Sequence, residues 1–221
     1  MTTHRLLKKA AAKSSRDAGG LPAFDSQATP RFSDMSKWLI VGLGNPGPEY
    51  AKTRHNLGFM LINLLACQLN IAVKRVENLS LVGRAEIDNQ VVELAMPQTF
   101  MNLSGQAVAG LLTKEGRSIE RMVVISDDLA LPLGSIRIRP RGTHGGQNGL
   151  RSIIECLGTP EFTRLRIGIG PEHEIRDAAR FVLDDFSKKE FETVEKTLAT
   201  ASDATRSIIA DGVEAAMARF N

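Results

Sequence analysis

The chain has 221 residues and a mass of 24.1 kDa, with 43% apolar and 24% charged residues and a formal charge of +3. This is ordinary globular usage with room for one well-filled core, which excludes disordered, collagen-like and coiled-coil classes. The charge is unevenly placed: residues 1 to 34 hold six Lys or Arg against three Asp, whereas 35 to 221 hold 22 of each sign, so a protein that wraps nucleic acid by overall basicity is excluded too.

Residues 1 to 34 show no sustained hydrophobic period, and the pattern changes abruptly at Met35. This segment reads as a basic extension, predicted to be disordered, ahead of a domain at 35 to 221. A transit peptide and a start codon placed ahead of a working start at Met35 are the alternatives, and Asp17, Asp25 and Asp34 count against the first. From 38 to 41 the chain is an all-apolar strand, and Gly42-Leu-Gly-Asn-Pro-Gly-Pro48 must be loop. Residues 57 to 69 read as a buried helix; Asn63 and Gln68 interrupt it, and no apolar run reaches the roughly 18 residues of a membrane span. Residues 81 to 87 and 91 to 96 read as a strand pair around Asp88-Asn89. A helix is predicted from about 102 to 114, with strands at 121 to 126, 135 to 139 and 163 to 169. The apolar spacing over 188 to 220 predicts an amphipathic helix broken near Gly212. Such alternation argues for a single α/β domain, a mixed twisted sheet flanked by helices.

The two cysteines, Cys67 and Cys156, have no partner at metal-ligand spacing and are expected as small buried hydrophobes in a reducing, cytosolic-type compartment. The four histidines, His4, His55, His144 and His173, stand far apart, so no metal site is expected.

Three polar clusters begin where predicted strands end: 42 to 55, 97 to 102, and Asp127-Asp128. Carboxyl ends of strands collect active sites in open α/β sheets, which makes Asn45, His55, Asn102 and Asp127 predicted neighbours. Gly42-x-Gly44-x-x-Gly47 fits a dinucleotide template, but Pro46 and Pro48 remove backbone donors and no ribose-binding acid follows at the right distance. His55 precedes a helix, where the dipole favours a neutral imidazole suited to a general base, and Asp127 is its candidate partner. Alone, this histidine also fits a structural role. No nucleophile elbow occurs, and Ser104 and Ser126 are candidates by proximity only. Asn45, Asn102 and Asn148 are neutral groups able to grip a peptide or an ester oxyanion, with Asn102 fitting a helix N-cap equally well. Arg137, Arg139, Arg141 and Arg151 surround a Gly-rich loop in a stretch without acids between Asp128 and Glu155. They make either a phosphate-backbone site or a solvated basic face.

Val41-Gly-Leu-Gly-Asn-Pro-Gly47, Tyr50, Thr53-Arg-His-Asn56, Pro97-Gln-Thr-Phe-Met-Asn-Leu-Ser-Gly105, Asp127-Asp128 with Leu131-Pro132, His144-Gly-Gly-Gln-Asn-Gly149 and Arg164-Leu-Arg-Ile-Gly-Ile-Gly170 together resemble the bacterial-type peptidyl-tRNA hydrolase family, from about Lys37 onward. The resemblance implies a cytoplasmic monomer that hydrolyses the ester between a peptide and the 3′ ribose of tRNA, with peptidyl-tRNA as partner, no membrane, and no metal or cofactor. His55 would activate water, Asp127 would keep it basic, and Asn45 would help distinguish blocked from free aminoacyl groups. Asn102 and Asn148 would bind the peptide-ester end, while Tyr50 and Phe100 would line the groove. The chain departs from the family at Ala130, where an Asp is frequent, and at Gln147, where a His is frequent. Both departures are expected to alter substrate contacts. The family also includes relatives that act as RNA-splicing partners, and the joint presence of His55, Asp127, Asn45, Asn102 and Asn148 speaks against that role here.

Overall fold

A computed structural model describes residues 36–171 and 175–221, so the N-terminal extension, Met35, His4 and His173 lie outside the described residues. Seven strands form one mixed sheet in the order β2-β3-β4-β1-β5-β7-β6. They are β1 (Lys37–Gly42), β2 (Arg75–Glu77), β3 (Ser80–Ile87), β4 (Gln90–Pro97), β5 (Arg117–Pro132), β6 (Ile136–Arg139) and β7 (Thr163–Gly170). The four central strands β4, β1, β5 and β7 run parallel, and β2, β3 and β6 add antiparallel edges. β1 is buried along its whole length because both faces are covered, which is why it reads as an unbroken apolar run.

Alternate residues of β1 feed two cores. Ile40 joins the layer under α1 (Leu57–Gln68), α5 (Lys188–Asp211) and α6 (Val213–Phe220); Leu39 and Val41 join the layer under α2 (Ser104–Leu112) and α3 (Asn148–Leu157). The predicted hairpin is present, with Asp88 and Asn89 both at positive φ (49° and 61°), the geometry that a two-residue turn between twisted strands requires. The predicted break between α5 and α6 falls at Gly212. A capping box of Ser187 and Glu190 starts α5. At the outer edge, the Asn221 side chain accepts from Ile138 N (2.7 Å) and donates to Ile138 O (3.2 Å), pairing with strand β6 as a neighbouring strand would. No helix among the described residues is long and apolar enough to cross a membrane.

Four features differ from the sequence reading. The fifth strand does not stop at Ser126: β1 ends opposite Ile125, but β7 continues to pair with Asp127 and Asp128, so the aspartates are strand residues that project past the end of β1. The helix expected from 102 divides into a 3-10 turn, Met101–Leu103, followed by α2. The short elements β2 and α4 (Ala178–Leu183) carry too little periodicity to be anticipated. Cys67 and Cys156 are both exposed, because each lies on the outward side of its helix.

Candidate active site

The loop after β1 is set by close backbone approach. A Cβ on Gly42 would collide with Gly58 O of α1, and one on Gly44 would lie 2.7 Å from the Phe59 ring. The first two glycines of the dinucleotide-like pattern therefore serve strand-helix packing, and the third, Gly47, serves a turn at a φ of 121°. Beyond them, Asn45 N donates to Asn56 Oδ1 (2.8 Å) and Asn56 Nδ2 returns a bond to Asn45 O (2.9 Å), closing the loop onto the turn Arg54–Asn56. Asn45 Oδ1 accepts from Met101 N at 2.8 Å, which joins the β1 and β4 loops. With its oxygen occupied by a backbone donor, Asn45 offers a ligand its amide nitrogen.

His55 lies in that turn, two residues ahead of α1, and is buried. Its Nδ1 is 2.8 Å from Asp127 Oδ2. A carboxylate accepts, so Nδ1 carries a proton, and in the neutral imidazole Nε2 then holds the lone pair. Gln147 donates from Nε2 to the other oxygen, Asp127 Oδ1, at 3.0 Å and caps α3 through Leu150 N at 2.8 Å. Gln147 also lines a cleft beside His55, where a substrate contact is expected of it, while its amide is engaged by Asp127 and Leu150. Arg54, given no role by sequence reasoning, is buried beside His55. It donates to Asp184 O and Asp185 O (both 3.0 Å) and to Glu190 Oε1 (2.8 Å), and it stacks over Phe181 at 4.2 Å. Burial pushes the Glu190 carboxyl upward, but bonds from Ser187 and Arg54 outweigh this and hold it below its ordinary range. The turn bearing His55 is thereby tied to the segment around α4.

His55 borders two clefts. One, of about 550 Å³, brings together Asn45, Tyr50, Phe100, Asn102, Asn148 and Arg151. Asn102 caps neither the 3-10 turn nor α2 and is exposed, so the N-cap alternative does not describe it. Phe100 is 57% exposed and lines this cleft. The other cleft, of about 320 Å³, lies toward Asp128, Gly145, Gly146 and Arg166. Ser104 and Ser126 are fully buried and Ser104 Oγ donates to Met101 O, so neither is placed as a nucleophile. Among the described residues no group of three or more His, Cys, Asp or Glu is arranged to hold a metal ion.

The four candidate arginines separate. Arg137 and Arg139 of β6 stand opposite Arg166 and Arg164 of β7, so four guanidinium groups share one face of the sheet edge. Arg164 turns inward, bonding Gly142 O, Thr143 O and Pro160 O and stacking over Phe162; burial lowers its pKa to about 10, still charged at neutral pH. It holds up the loop that leads to Gly145. Arg166 pairs with Asp128 at 2.8 Å, and Arg141 meets Glu161 at 3.6 Å, both acids arriving from outside the acid-free stretch. Arg151 belongs to the His55 cleft and not to the arginine face.

A buried imidazole held by a carboxylate, in a cleft also lined by asparagines, has the parts for water activation and carbonyl binding. The peptidyl-tRNA hydrolase family model matches residues 39–221. The peptidyl-tRNA hydrolase of Solibacter usitatus is 46% identical over 184 residues, covering 83% of this chain and 94% of that protein. That of Elusimicrobium minutum is 45% identical, covering 83% of this chain and 98% of its own. The crystal structure of peptidyl-tRNA hydrolase from Acinetobacter baumannii superposes with a TM-score of 0.77 at 36% identity, over 85% of this chain and 94% of that one. A match that includes every strand, both cores and all the residues gathered around His55 leaves one assignment: the chain belongs to the peptidyl-tRNA hydrolase family.

Proposed function

We propose that this chain cleaves the ester between an N-blocked aminoacyl or peptidyl group and the 3′ ribose of tRNA, with His55 as general base. The observation that carries this reading is the 2.8 Å bond from His55 Nδ1 to Asp127 Oδ2, which leaves Nε2 as the acceptor beside the cleft. A water between Nε2 and the ester carbonyl gives its proton to the imidazole as its oxygen attacks carbon. Asp127 stabilises the imidazolium, and the asparagine amides donate to the oxyanion. Collapse of the tetrahedral species breaks the bond to the ribose 3′ oxygen, which takes the proton back from His55. Free tRNA and a peptide carboxylate result.

The amide nitrogen of Asn45 reads the blocked amino group, Asn102 and Asn148 hold the ester end, and Tyr50 and Phe100 flank the peptide. Arg137, Arg139 and Arg141, with Arg166 alongside, engage tRNA phosphates, and Arg151 reaches the acceptor end from the cleft. On this reading the chain works as a cytoplasmic monomer without metal or cofactor, and a protein started at Met35 keeps full turnover.

The test is release of N-acetyl-amino acid from N-acetyl-aminoacyl-tRNA with a chelator present, beside the unblocked aminoacyl-tRNA. Rapid, chelator-resistant cleavage confined to the blocked substrate is expected. Folded protein that binds tRNA yet leaves the ester intact would replace hydrolysis with RNA binding alone.

A further inference from the structure

We propose that Gln147 is a positioning residue that orients Asp127, and through it the His55 ring; the proposal rests on the reading of His55 as the base. The geometry fixes which end of the amide faces which partner. Leu150 N can only donate, so the atom 2.8 Å from it is the amide oxygen, and the atom 3.0 Å from Asp127 Oδ1 is the NH₂ group. Flipping the amide would set donor against donor at α3 and acceptor against acceptor at Asp127. The helix N-cap therefore locks the donor onto the carboxylate.

Asp127 needs that lock. It is 3% exposed, and its two oxygens have one side-chain donor each, His55 on Oδ2 and Gln147 on Oδ1. The terminal torsion of an aspartate is broad, so a carboxylate held by the imidazole alone could swing and take the ring with it. With both oxygens held, the plane of the carboxylate is set, and the lone pair on His55 Nε2 is aimed by the backbone of α3. The amide also has little room: Gln147 is 8% exposed, its nitrogen lies 3.2 Å from Met101 Sδ, and a Cβ on Gly149 would come within 3.0 Å of its oxygen. Because the amide does not titrate, the donor persists across the pH range. An imidazole in its place would gain or lose a proton near neutrality.

Two variants separate this role from helix capping. Gln147→Glu keeps the length and the cap acceptor but turns a second carboxylate toward Asp127. Gln147→Asn keeps a strong N-cap on a side chain one methylene too short to reach. Gln147→Asn is expected to melt close to the parent, whereas Gln147→Glu, which sets a second carboxylate against the buried Asp127, should melt below it; in both, kcat on N-acetyl-aminoacyl-tRNA falls about 10-fold to 100-fold with KM changed less than about twofold. In the parent, imidazole ¹⁵N shifts should place the His55 proton on Nδ1, and in both variants they should report a mixture of tautomers. Gln147→His, which restores an N–H donor, should recover part of the lost turnover. Parental kcat in both variants, or a loss carried by KM alone, overturns the proposal. If the parent itself leaves the blocked substrate intact, the reading of hydrolysis fails, and the ¹⁵N spectra still decide the matter: unchanged tautomers in both variants reject positioning by Gln147, and a mixture supports it.

Discussion

Two buried polar clusters sit toward opposite ends of the parallel strands, and they are built on different plans. Near the amino-terminal ends, Arg117 reaches Glu93 Oε2 (2.7 Å) and Glu77 Oε1 (2.6 Å), while Arg75 and Lys114 take the remaining oxygens at 3.0 Å each. Every carboxylate oxygen has a cation. Burial alone would raise the carboxyls of Glu77 and Glu93, but these donors outweigh it and hold both below their ordinary range. At the carboxyl ends, His55, Asp127 and Gln147 satisfy one another inward, while the free imidazole nitrogen and the Asn45 amide are left with bonding capacity unspent. A closed cluster fastens β2, β4 and β5 together; an open one has something left for a ligand.

Substitution in each cluster should break the comparison in opposite ways. His55→Ala is expected to lower kcat by about 10² to 10⁴ while tRNA affinity and melting stay near those of the parent, since the base acts in the transition state. Equal losses in kcat and in tRNA binding would show that the open cluster is not specialised for chemistry. Arg117→Leu should do the reverse, costing about 1 to 3 kcal/mol in denaturant unfolding by removing one cation from the buried Glu93 and from the half-buried Glu77, with turnover per folded molecule unchanged.

The same pair sets a pH dependence. Depressed folded-state values mean that Glu77 and Glu93 contribute stability above the ordinary carboxyl value of 4.5, and that this is lost as pH falls through the lowered values. Unfolding followed below about pH 4.5 should show a steep acid loss in the parent and a shallower one in Arg117→Leu. Changing Arg137, Arg139 and Arg141 together to Gln should raise KM several-fold more than it lowers kcat and flatten the salt dependence of binding, by roughly one unit of slope for each phosphate no longer neutralised. The smallest effect belongs to Arg141→Ala alone, whose exposed partner Glu161 at 3.6 Å should leave unfolding within about 0.5 kcal/mol of the parent.

Much of the open cluster is legible in the sequence because polar residues at strand ends interrupt apolar runs visibly. Asn45, His55, Asn102 and Asp127 are predicted as neighbours on that ground; Asn45 and Asn102 line one cleft, Asp127 lines the other, and His55 borders both. The hairpin at Asp88-Asn89 and the break at Gly212 are legible for a local reason, a backbone conformation that few residues tolerate. What escapes depends on pairing across the chain. The length of β5 is decided by β7, not by its own composition. Arg54 looks like an ordinary polar residue, and Gln147 like a substitution facing substrate, until their partners, 130 and 20 positions away, arrive beside them. The cysteines mislead because an apolar neighbourhood in sequence says nothing about which side of a helix faces out.

The amide of Asn221 against Ile138 carries a consequence for assembly order. Sheet edges with unpaired backbone groups invite pairing with another molecule, and here the guard comes from 83 residues further along the chain. A folding intermediate with its sheet complete but α6 undocked would present β6 bare, and Arg137 and Arg139 within it carry like charges that repel a second copy of the same strand. The arginines proposed to meet tRNA would then serve a second purpose, keeping nascent molecules apart until the helix settles.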